Sequence, residues 1–126
     1  MIESWKKVVV SLLRRYDANC RAAENLKREL RQNPFKDKVD DPWSVYSQDR
    51  RQLRKRLRQI QAMKMQVENA LATLTPQDRI LLQMLDIAPA KGNGEKLCQM
   101  LGCEIATVYR RRNKALRKFA EAMFGA

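Results

Sequence analysis

The chain has 126 residues, the size of one ordinary domain or of two small units, and sets 26 lysines and arginines against 14 acidic residues, a formal charge of +12. Such a charge favours a polyanionic partner, because each cation placed beside a phosphate releases condensed counterions; with no histidine and no GxSxG, Walker-type or HExxH motif, enzyme activity is not expected. No apolar run approaches the roughly 20 residues that span a bilayer, no signal peptide is read in MIESWKKVVVSLLRR, and Cys20, Cys98 and Cys103 lack metal-ligand spacing, so we expect a cytoplasmic protein with no membrane partner, metal or cofactor.

From the N-terminus, Trp5, Val9, Leu12, Tyr16, Cys20, Ala23, Leu26 and Leu30 recur every three or four residues, the helical period, until Pro34 stops the run. A second seam follows at Leu53, Leu57, Ile60, Val67, Leu71 and Leu74, interrupted by Lys64. Two long helices are therefore predicted. The connector NPFKDKVDDPW has two prolines and no periodicity; Phe35, Val39 and Trp43 are its candidates for tucking against the helices, and its length permits an antiparallel hairpin. Residues 1–74 are read as this hairpin, a region for oligomerisation or partner binding. Its heptad-like seams at Leu12, Tyr16, Leu57 and Ile60 predict a homodimer, the alternative being two helices that cover each other within one chain.

Thr75, Pro76, Gln77 and Asp78 form a helix start, with Thr75 as cap, Pro76 at the first helical position and Asp78 facing the positive helix end. A third helix is predicted from about Pro76 to Ile87, its stripe formed by Ile80, Leu81, Met84 and Leu85, before APAKGNG breaks it. A short helix beginning near Glu95 carries Leu97 and Leu101; Gly102 then supplies a tight turn of three or four residues, and Ile105 and Val108 begin the last helix, whose apolar face continues through Ala115, Leu116, Phe119 and Met123. Cys98 and Cys103 are read as reduced thiols packing beside that turn, with a disulfide between them as the alternative. The fold class is thus all-α: a helical hairpin over 1–74 followed by a three-helix unit with helix-turn-helix spacing over 75–126.

The last helix concentrates Arg110, Arg111, Arg112, Lys114, Arg117 and Lys118, the charge needed to lie against a phosphate-lined groove. Glu104, Ala106, Thr107 and Arg110 fall at its exposed start and are the base-reading candidates: arginine pairs bidentately with guanine, threonine meets the thymine methyl, and glutamate accepts from the cytosine amino group. Arg111, Arg112, Lys114 and Lys118 are assigned to the DNA backbone, and Tyr109 either to a phosphate or to packing beneath the helix. Arg51, Arg54, Lys55 and Arg58 align on one face of the second long helix, either as a second phosphate contact or as a solvated flank.

The segments LTPQDRILLQMLDI and LGCEIATVYRRRNKALRKFAEAM, covering about residues 74 to 124, resemble region four of bacterial sigma factors and, more closely, phage transcriptional regulators of the ArpU and RinA type. The connector APAKGNG stands where sigma-like domains have a short glycine-centred link. The resemblance implies a sequence-specific transcriptional regulator of phage or prophage origin, acting on double-stranded DNA in a bacterial cell, with Glu104, Thr107, Arg110 and Arg111 at the positions that approach DNA. The competing reading is an adaptor or antitermination-type protein that holds RNA polymerase through the long helices and contacts nucleic acid without sequence preference. An RNA binder is a third reading, against which stands the lack of a stacking platform of aromatic residues.

Overall fold

A computed structural model describes residues 4–32 and 45–125. Among them the chain is all α-helical and without strands: α1 spans Ser4–Gln32, α2 Val45–Ala72, α3 Pro76–Leu82, α4 Asn93–Leu101 and α5 Ile105–Phe124, and a π-helical turn, Gln83–Ile87, extends α3. Phe35, Val39 and Trp43 lie outside the described residues.

The chain divides into two compact units, one of Ala18–Met65 and one that joins Met1–Asp17 to Gln66–Ala126. This is not the division at residue 74 that the sequence suggests. The reason is the core that α5 needs covered. Ala115, Leu116 and Phe119 are fully buried, and the side chains packed with them are Val9 and Leu13 of α1, Val67 and Ala70 of α2, Leu74, Leu82 and Ile87. A three-helix unit ending at α5 would leave much of that face in water, at roughly 25 cal/mol for each Å² of apolar surface. The start of α1 and the end of α2 are therefore part of the unit that carries α5. Val9 and Val67 were legible as members of an apolar stripe; Leu13 and Ala70, equally buried, lie one step off the seams traced from the sequence.

A second cluster in the same unit takes one fully buried residue from each short helix and from α5: Leu81, Leu97 and Val108, flanked by Met84, Leu85, Leu101, Cys98 and Cys103. Here the expected stripe of α3 is corrected at one position. Ile80 is 40 % exposed, and Leu82 takes its place inside, so that α3 buries adjacent residues toward two different clusters.

The helix ends follow local chemistry. The Thr75 hydroxyl accepts a hydrogen bond from the Asp78 amide at 3.2 Å, the N-cap anticipated from the sequence. Thr75→Ala is accordingly expected to cost about 1 kcal/mol of unfolding free energy in urea titrations, and an unchanged midpoint would mean that the cap contributes nothing. At the other end of α3 the wide π turn closes with the Ala88 amide on the Gln83 carbonyl at 2.9 Å. Asn93, buried at the first position of α4, donates from Nδ2 to the carbonyls of Met84 and Ala88 at 2.9 and 3.4 Å, satisfying acceptors that the wide turn leaves over. The APAKGNG link is thus tied back to the turn by its own asparagine.

Among the described residues of the unit Ala18–Met65, Ala23 and Leu26 are the buried apolar ones, and Leu53, Leu57 and Ile60 are half-buried along α2. An Arg50 guanidinium N–H donates to the Leu30 carbonyl at 3.2 Å. Among the described residues no helix is long and apolar enough to cross a membrane.

Candidate nucleic-acid interface

Residues 102–104 join α4 to α5. Gly102 sits at φ 63°, ψ 39°, in the left-handed region where a Cβ is strained, and ends α4; its amide and that of Cys103 both reach the Cys98 carbonyl, the latter at 3.2 Å. Glu104 is the residue before α5, extended at φ −75°, ψ 160°, and its side chain makes no cap hydrogen bond. It is exposed, and its carbonyl receives the amides of Thr107 and Val108.

A small residue of α4 faces the start of α5 at this end. A Cβ at Gly94 would stand 3.0 Å from the Ile105 Cδ1 and 4.0 Å from the Tyr109 hydroxyl oxygen. Tyr109 is 45 % exposed, so it does not pack beneath the helix; Ile105, expected to open the buried stripe, is likewise 46 % exposed, and Val108 is the first buried residue of α5. Of the base-reading candidates Glu104, Ala106 and Arg110 are exposed and Thr107 is half-buried. Arg111 and Lys114 are exposed as well. Ala106, Arg110 and Lys114 fall on one stripe at four-residue spacing, and Thr107, Arg111 and Lys118 on the adjoining one.

Arg112 does not belong with them. It lies four residues after Val108 and four before Leu116, on the inward face of α5, and its guanidinium is engaged by Asp86 of the π turn: Nε donates to Oδ2 at 3.0 Å and Nη2 to Oδ1. The Asp86 side chain is 1 % exposed and that of Arg112 17 %. The hydrogen bond to the carboxylate raises the Arg112 pKa above its ordinary value, outweighing the effect of burial. The assignment of Arg112 to the DNA backbone is corrected to this extent: its charge is matched by Asp86 and two of its five N–H donors, Nε and one on Nη2, are engaged inside the protein. Asp86 is not among the site residues that the sequence suggests, and its signal is a position four residues after Leu82 in an otherwise apolar stripe.

Two further cations of α5 have protein partners. Lys118 Nζ stands 3.3 Å from Asp78 Oδ2, which offsets part of its charge, although the lysine remains largely exposed. The Arg117 guanidinium lies 5.8 Å from the centre of the Trp5 ring. Arg110, Arg111 and Lys114 remain as the exposed cations that follow the turn most directly. In the other unit Arg51, Arg54, Lys55 and Arg58 are all exposed on α2.

Among the described residues no group of three or more metal-ligating side chains occurs. Compared with protein-family models, with curated proteins and with solved structures, the chain matches none.

Proposed function

We propose that the chain is a sequence-specific double-stranded-DNA-binding transcriptional regulator of the phage or prophage kind, in which α4, the Gly102 turn and α5 act as a helix-turn-helix and α5 enters the major groove. The observation that carries this reading is the juxtaposition at the start of α5: a three-residue turn fixed by a left-handed glycine, then exposed Glu104, Ala106, Arg110, Arg111 and Lys114, with the opposite face anchored by Val108, Arg112, Leu116 and Phe119. A helix held so firmly on one side presents a rigid polar face on the other, as base reading requires. Glu104, Ala106, Thr107 and Arg110 are the proposed base-reading set, and Arg111, Lys114, Lys118 and Tyr109 the backbone set, with Arg51, Arg54, Lys55 and Arg58 as a second phosphate contact.

Selection from a random pool of duplexes at physiological salt tests the reading, and enrichment of a defined motif is the expected result. A palindromic motif would further support action as a homodimer. Recovery of DNA without any motif would favour the polymerase-associated adaptor instead. On an enriched site, Arg110→Ala and Thr107→Ala are expected to weaken binding by about 1–3 kcal/mol each while affinity for random duplex stays nearly the same. Equal losses on both duplexes would mean that neither residue reads a base.

A further inference from the structure

We propose that Cys98 and Cys103 form a dithiol site that closes to a disulfide across the turn between α4 and α5, by exchange with a low-molecular-weight disulfide such as oxidised glutathione. This inference does not depend on the DNA-binding reading.

The geometry comes from the way α4 ends. With Gly102 in the left-handed region and the Cys103 amide on the Cys98 carbonyl at 3.2 Å, the two cysteines occupy the positions, third from the helix end and first beyond the glycine, whose side chains meet in this type of helix stop. In most proteins apolar side chains make that contact. Here both are free thiols, both half-buried against the Leu81, Leu97 and Val108 cluster. A direct backbone hydrogen bond between two residues holds their Cα atoms at about the separation that a disulfide spans, roughly 4.4–6.8 Å. The hydrogen bond brings the two backbones within the reach of such a bridge, and closure further requires the two Cβ atoms to converge to about 3.5–4.5 Å.

Access is provided on the Cys98 side. Cys98 lines a surface cavity together with Gly92, Gly94, Glu95, Gln99 and Ile105, and the two glycines leave it open where side chains would otherwise stand. In the exchange the Cys98 thiolate attacks one sulfur of the small disulfide, forming a mixed disulfide and expelling one small thiolate. The Cys103 thiolate then attacks the Cys98 sulfur and expels the second. The two cysteines are oxidised, the small disulfide is reduced to two thiols, and the two protons lost by the protein end on those thiols. The product covalently fixes the last turn of α4 to the residue that precedes Glu104.

Trypsin provides the test, because Lys96 and Arg110 bracket both cysteines on a single peptide, Leu97–Arg110, whereas Cys20 falls on Tyr16–Arg21. The folded full chain is equilibrated over a series of glutathione redox ratios, the remaining thiols are alkylated, and the peptides are weighed. The expected result is a Leu97–Arg110 peptide lighter by two hydrogens and free of both label and glutathione, while Cys20 carries glutathione or label. Closure should be favoured at least about tenfold more in the folded chain than in urea. In Cys103→Ser, glutathione should instead remain attached to Cys98. A Leu97–Arg110 peptide that stays doubly alkylated, that holds glutathione on both cysteines, or that closes no more readily when folded than in urea would overturn the proposal.

Discussion

Replacing Arg112 by methionine is expected to lower the unfolding free energy by about 3–5 kcal/mol. Asp86 is fully buried, and Arg112 supplies hydrogen bonds to both of its carboxylate oxygens. Without the guanidinium, the carboxylate stays buried with both of these hydrogen bonds gone. Removing both partners is a different experiment: Asp86→Leu combined with Arg112→Met leaves no stranded charge and should recover most of the loss. Urea titrations followed by circular dichroism would measure both. A single variant within about 1 kcal/mol of the parent would show that the pair does not anchor α5, and would return Arg112 to the cations available for DNA. The pH dependence has a definite sign. Because the folded-state pKa of Arg112 is raised, its contribution is fully present below arginine's ordinary value and is lost only as pH rises through the raised one, so this arginine gives no titration of stability near neutrality.

Much of this architecture is legible in the sequence because it rests on local signals. The Thr75-Pro76 start, the Gly102 stop and the inward row of Ala115, Leu116 and Phe119 each depend on one residue type or one period, and each stands where the sequence places it. What stayed hidden depends on partners distant in the chain. The division into units turns on whether Val9 and Leu13 meet Leu116 and Phe119, more than 100 residues away, and no periodicity encodes that. On α3 it is Leu82 and not Ile80 that is buried, and the π turn that follows adds a residue to one helical cycle, in which Asp86 is buried. Arg112 is the instructive case for the site. It sits in a run of three arginines, and composition alone groups it with its neighbours. The helical period separates it, since only Arg112 of the three aligns with Val108 and Leu116.

Substituting glutamine at Arg111, Lys114 and Lys118 together, the cations of the proposed backbone set, is expected to reduce affinity for random duplex by about two orders of magnitude at physiological salt. Each phosphate contact contributes about 0.9 to the slope of log affinity against log salt, so three contacts contribute about 2.7 and, at about 0.15 M, roughly a hundredfold in affinity. The three side chains are exposed on α5, and glutamine retains helix propensity, so the fold and its urea midpoint should persist. Arg112 is left in place because its charge is already matched by Asp86, and counting it as a fourth contact would overstate the slope. A salt titration of the variant against the parent decides the matter. A slope lower by two to three units places the electrostatic footprint on the face that follows the Gly102 turn, whereas an unchanged slope in a folded variant would exclude that face and leave Arg51, Arg54, Lys55 and Arg58 on α2 as the cations that meet the polyanion.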